Sequence, residues 1–295
     1  MAYPTECIQT LKGHKGPVNV IRYNVHGQYC VSGGRDRSVR LWNPKTGNHL
    51  YSYEGHGREV LGVSVSRDNA KLASCSADKA VILWDVSTGQ LQRKFTDHWE
   101  RVNAVDFNDD NSLLISGSFD STLRIWDLRS SNFHAIQVIE DAKDSIMSLQ
   151  VRGTEIICGC NDGKLRTYDL RAGQLFEDQL GAPVTSTRMS NDTNCILVNT
   201  LNSTIRLMDK ANGQQLAEFK GHKHETYKVD SALSFDDAQC ISGSEDGQIY
   251  IWNVADGLLL KTLASHRGVI SSVDAHPTDL GLVSGGDDGL VRVWQ

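Results

Sequence analysis

The chain repeats itself. Asp recurs at positions 36, 78, 120, 162, 246 and 288, with Asn202 in the remaining slot. Six residues after each stand Trp42, Trp84, Trp126, Tyr168, Met208, Trp252 and Trp294, so the steps are 42, 42, 42, 40, 44 and 42. Self-similarity at this period means stacked or circularised copies of one small unit, each unable to bury its apolar face alone. Seven copies fill residues 1–295 and leave no room for a second domain.

Each copy reads as four short strands. In the third, VNAVDF (102–107), LLISGS (113–118), TLRIWDL (122–128) and FHAIQVI (133–139) are β-prone runs separated by turn residues. Helical periodicity is absent. The chain stops one residue after the third strand of the last copy, which would leave that sheet with an open edge. A surplus run, CIQTLK (7–12), resembles the fourth strands LQRKFT (91–96) and QLAEFK (215–220). Pairing it with the last sheet gives every sheet four strands and clasps the ends of a ring.

A period near 42, four strands per copy and a Gly-His…Trp-Asp pattern resemble the WD40 family, whose fold is a β-propeller. The expected fold is therefore all-β: a single seven-bladed WD40 propeller over 1–295, closed by its N-terminal strand. A serine and a histidine recur with the Asp and Trp. The sets are His14, Ser32, Asp36 and Trp42; His56, Ser74, Asp78 and Trp84; His98, Ser116, Asp120 and Trp126; His222, Ser242, Asp246 and Trp252; and His266, Ser284, Asp288 and Trp294. In this family such residues form buried chains from Trp through Ser and His to Asp. The chemistry agrees, because indole donates, hydroxyl and neutral imidazole do both, and carboxylate accepts.

A Ser-His-Asp hydrolase is disfavoured, since a nucleophile must be exposed and one active site does not come in five copies. Each recurrent His stands alone in its blade, so no metal is expected, and Cys158-Gly159-Cys160 lacks the usual two-residue spacing. No cofactor motif appears, and the protein reads as a non-enzyme. Copies four and five break the pattern, with Ala142, Cys158 and Tyr168 in one and Leu180, Val198, Asn202 and Met208 in the other. Apolar packing is expected to replace the chain there; the sharper reading is a softer edge open to a partner.

The chain has 30 basic and 36 acidic residues, net −6, which argues against a general nucleic-acid or membrane surface. It shows no signal peptide and no apolar run near 18 residues, and seven scattered cysteines fit a reducing compartment. The reading is a soluble protein of cytoplasm and nucleus. Its work would be done by loops on a rigid ring. Candidates on the rim beside the His and Asp positions are Arg35, Arg58, Glu59, Trp99, Arg101, Phe119, Lys223, His224, Tyr227 and Arg267. Trp99, Arg101 and Phe119 share one copy and are typical anchor types. RNA contact is expected only indirectly, if at all.

Two finer resemblances bear on function. Trp126-Asp127-Leu128-Arg129, and more weakly Tyr168-Asp169-Leu170-Arg171, resemble the WDxR box of WD40 receptors that dock on cullin-RING ubiquitin ligases. That makes Arg129 and Arg171 the adaptor contacts in an alternative function, substrate receptor of a ligase. Stretches such as YNVHGQYCVSGGRDRSVRLWNP (23–44), GHGREVL (55–61) and GHKHETYKVD (221–230) are similar to the mitogen-activated protein kinase organizer subfamily. That resemblance implies a monomeric scaffold within larger assemblies, with kinase-cascade components and splicing factors as partners, in MAP kinase signalling, pre-mRNA splicing in the spliceosome, or both.

Overall fold

A computed structural model describes residues 3–295. Seven four-stranded antiparallel sheets succeed one another along the chain. Blades one to six each take four consecutive strands, lettered a to d from the centre outwards. In blade three these are Val102–Phe107, Leu113–Ser118, Leu123–Asp127 and Gln137–Ile139. The outermost is shorter than the sequence suggests, because the chain from 129 to 136 makes a loop before pairing begins. Blade seven takes three strands from the C-terminal end and its fourth, Cys7–Lys12, from the N-terminal end. Gln9 to Lys12 pair antiparallel with Val293 to Leu290, so the ring is closed by hydrogen bonds between the two ends.

The apolar core lies between blades rather than within them. Seven clusters of buried side chains each combine residues of two neighbouring blades. At the closure, Leu11, Val283, Val291 and Val293 of blade seven pack against Val18, Ile21 and Trp42 of blade one. The clasp is therefore both an edge pairing and a hydrophobic contact, and an unpaired edge strand is avoided.

Glycine on strand b makes this close approach possible. A Cβ at Gly33 would sit 2.5 Å from Val60, at Gly117 2.6 Å from Ile146, and at Gly159 2.4 Å from Val184. Each partner is a branched residue opening the next blade's first strand. Gly117→Ala is expected to destabilise the fold by about 1–3 kcal/mol through overpacking, read by urea unfolding. An unchanged midpoint would show that the blades do not meet this tightly.

Candidate functional site

The recurrent polar residues come together inside the blades. In blade one the Trp42 indole N–H donates to Ser32 Oγ at 2.8 Å, and Ser32 meets His14 Nε2 at 2.7 Å. His14 Nδ1 then lies 2.9 Å from Asp36. The donors fix the tautomer: Ser32 spends its proton on Nε2, so Nδ1 carries the proton that Asp36 accepts. Blades two, three and seven repeat this. The Trp–Ser contacts are 2.8, 2.9 and 3.0 Å at Trp84, Trp126 and Trp294. The His–Ser contacts are 2.8 Å at His56, His98 and His266. The His–Asp contacts are 3.1, 2.8 and 2.7 Å at Asp78, Asp120 and Asp288. Each Asp also accepts the amide after its histidine, for example Lys15 N at 3.0 Å and Gly57 N at 2.7 Å. Burial opposes ionisation of Asp120, but the bond from His98 and those from Thr122 hold its carboxyl at about 2.

Blade six departs from the expected chain, although all four residue types are present. The Trp252 indole donates to the Lys220 carbonyl at 3.1 Å, and Ser242 Oγ donates to the Gly243 carbonyl. Asp246 is exposed and accepts the Tyr250 hydroxyl at 2.8 Å. His222 is buried with neither ring nitrogen bonded among the described residues. The cause is the longer loop, followed by a first strand of only three residues, Ser231–Leu233. His224 stands 28 residues before Trp252, the spacing of the other copies, so the count could have been read this way (252 − 28 = 224). It does not enter blade six either. Its ring reaches back to Asn199 Oδ1 at 2.9 Å and Thr185 Oγ1 at 3.2 Å in blade five. His224 is thus fully buried and leaves the set of rim contacts. Burial pushes both imidazoles down to about 4.

Blades four and five are not repaired by apolar packing alone. Val198 and Met208 are buried in the apolar cluster between these blades. In blade four, however, which lacks the histidine, Arg166 on the third strand supplies the bonds to the Asp. Its guanidinium is buried, makes two bonds to Asp162 at 3.1 and 2.7 Å, and gives Nε to Glu177 at 2.8 Å. In blade five Asn199 stands where blades one, three and four have their strand-b glycine, opposite the blade whose first strand is shortened. In both blades a different set of polar bonds stands where the usual chain is missing.

The exposed candidates lie on the rim formed by loops before strand a and between strands b and c. Trp99 is 63 % exposed, Tyr227 55 % and Phe119 43 %. The Arg101 guanidinium lies 4.4 Å above the Phe119 ring, a cation–π arrangement. Lys79 donates to the Trp99 carbonyl at 2.6 Å and pins that loop. Arg35, Arg58, Lys223 and Arg267 are exposed, and Glu59 is half-buried. Glu245 accepts the three successive amides of Glu225, Thr226 and Tyr227 on one oxygen, so the loop carrying Tyr227 is clasped in place. Arg129 and Arg171 lie on the opposite rim, where the amide of each is held by the aspartate of its own turn.

Sequence reasoning missed the channel along the ring axis, a cavity of about 280 Å³. Arg22 pairs with Asp230 at 2.7 Å and Arg188 with Asp274 at 3.0 Å. Lys228 of blade six spans the channel to the carbonyls of Asn103 and Met147 at 3.2 and 2.7 Å. The available signal was Arg22, Ser64 and Asp106, polar residues 42 apart on inner strands. Among the described residues no group of three metal-ligating side chains converges.

A seven-bladed ring of repeated four-stranded sheets with these turn networks defines a WD-repeat propeller, and the chain belongs to that family. The profile described as WD domain, G-beta repeat matches residues 213–253 and 257–295, and one described as IFT122 first beta-propeller matches 2–232. Proteins named WD repeat domain-containing protein 83 are similar along nearly the whole chain. The Homo sapiens protein is 50 % identical over 99 % of this chain and 92 % of its own length. That of Danio rerio is 49 % identical with the same coverage. The Dictyostelium discoideum homolog is 34 % identical over 98 % and 97 %.

The blade-six finding has a direct test. Ser116→Ala strands both an indole and an imidazole and is expected to cost about 1–3 kcal/mol. Ser242→Ala removes only a bond to its neighbour's carbonyl and a 3.4 Å contact from Asn199, so its cost is expected below about 1 kcal/mol. Equal losses in urea unfolding would restore the conventional chain in blade six.

Proposed function

We propose that this WD-repeat protein is a non-catalytic scaffold that assembles kinase-cascade components, splicing factors or both, in the cytoplasm and nucleus. Its partners dock on the rim of blades two and three. The observation that carries this is the combination of Trp99, Phe119 and Arg101 on one rigid, exposed loop pair. Large aromatic and arginine side chains are the residues that most often dominate protein interfaces. A Trp that is 63 % exposed on a loop pinned by Lys79 is poised for a partner without a reordering cost. In blades one, two, three and seven the recurrent Ser, His and Asp are bonded to one another in stitching turns and are spent there. The resemblance to kinase-organizer proteins supplies the partner classes.

The test is affinity purification from nuclear and cytoplasmic extracts, comparing wild type with Trp99→Ala/Arg101→Ala. Both residues are exposed, so the variant is expected to fold normally and to lose co-purifying proteins at least tenfold. Unchanged recovery would move the docking site elsewhere.

A further inference from the structure

The loops of blades seven, one, two and three leave a charge surplus on one arc of the rim. Lys15, Arg35, Arg37, Arg58, Arg101 and Arg267 are all exposed there. Among the described residues Lys15, Arg37, Arg58 and Arg267 make no ion pair and no side-chain hydrogen bond, and Arg101 rests on an aromatic ring instead of a carboxylate. The aspartates of the same loops are withdrawn beneath their histidines. Side-chain exposure is 9 % at Asp36, 11 % at Asp78, 0 % at Asp120 and 11 % at Asp288. Asp36 and Asp288 are further matched by Arg40 and Arg292. Asp97 is turned outward to His134 and the Ala135 amide. Glu100 faces Lys79 at 4.0 Å. Six accessible cations therefore face Glu59 and Asp287, on a protein whose net charge is −6.

At one end of the arc stand the two exposed aromatics of blade three. Their loops are bonded to each other: the Phe119 amide donates to the Arg101 carbonyl at 2.9 Å, and the Trp99 amide to Asp120 at 3.2 Å. An apolar anchor thus adjoins a cationic track.

We infer that this arc binds an acidic, extended segment of a partner protein, with one bulky apolar side chain on Trp99 and Phe119 and carboxylates on Arg58, Arg101 and the arginines of blade one. The inference rests on the reading that this rim docks proteins, and adds the chemistry of what docks. Single-stranded RNA is the less suitable occupant. It needs successive stacking platforms along the track, and the exposed aromatics of this arc stand in a single blade.

The experiment pans a displayed library of random twelve-residue peptides against the wild-type protein, Arg58→Glu/Arg101→Glu and Trp99→Ala. All three substituted side chains are exposed, and thermal unfolding checks that the variants fold. Wild type is expected to enrich peptides rich in Asp and Glu with one bulky apolar residue. The charge-reversed variant should lose affinity for those peptides at least tenfold, and Trp99→Ala should keep the acidic bias but lose the apolar one. The enriched peptide should also outcompete a phosphoserine peptide and a twelve-nucleotide single-stranded RNA. Failure to enrich any peptide, enrichment without acidic bias, a bias unaltered by charge reversal, or tighter binding of RNA or phosphopeptide would each overturn the inference. If these fail while Trp99→Ala/Arg101→Ala still loses its partners from extracts, the rim docks proteins of another chemistry. If partner recovery is also unchanged, the docking reading itself fails.

Discussion

A buried indole N–H can only donate, and leaving it without an acceptor costs more than most single contacts return. In four blades that donor ends on a serine hydroxyl, which passes the demand to a histidine, which passes it to an aspartate. The aspartate finally collects amides of the turn that carries it and of the loop that carries the histidine. One requirement of a core side chain is thereby transmitted to the rim. Loops that would otherwise be free are fixed by a chain of bonds starting at the tryptophan, and the same serine, histidine and aspartate are removed from chemistry.

The blades that depart from this scheme show the requirement from the other side. Blade four has no histidine to neutralise the position of Asp162, and a buried arginine takes over with bonds to two carboxylates. Burial opposes charge on Asp162, yet the Arg166 contacts keep its carboxyl below the usual range. Blade five has an asparagine where a glycine elsewhere admits the next blade, and blade six correspondingly starts late and sends His224 back to that asparagine. These changes are coupled: the longer loop, the short first strand, Asn199 and the unpaired His222 form one local solution. The polar atoms left over include both ring nitrogens of His222 and Ser231 Oγ, and burial keeps the His222 ring neutral.

Much of this was legible in the residues. The period of about 42, the Asp–Trp offset and the surplus run 7–12 point to seven blades and their closure, because strand count and edge pairing leave few alternatives. Strands Val102–Phe107 and Leu113–Ser118 fall where alternation and turns place them. Blade six was misread because its Gly221-His222 pair mimics the usual motif, while spacing favoured His224; pairing partners across two blades cannot be counted along one. Arg166 was missed although arginine also stands four residues after the Asp at 40 and 292, because there it pairs with an Asp that a histidine already binds. The charged channel was partly legible as polar residues 42 apart, but Lys228 reaches it from a loop whose path depends on the insertion. On the rim, residue type pointed to Trp99, Arg101 and Phe119, and only the fold brings an arginine over one ring and a lysine against the other's backbone.

A ring stitched in this way presents loops as a fixed surface, which is what a scaffold needs. The central claim is that buried polar networks, different in blade six from the rest, hold those loops. Histidine titration followed by NMR of the ring nitrogens tests it most directly. The account predicts that His222 and His224 remain neutral until about pH 4, so that the folded state takes up fewer protons than the unfolded chain between about pH 6.5 and 4 and loses stability across that window as pH falls. Ordinary titration of both rings near pH 6.5 with no loss of stability would contradict it.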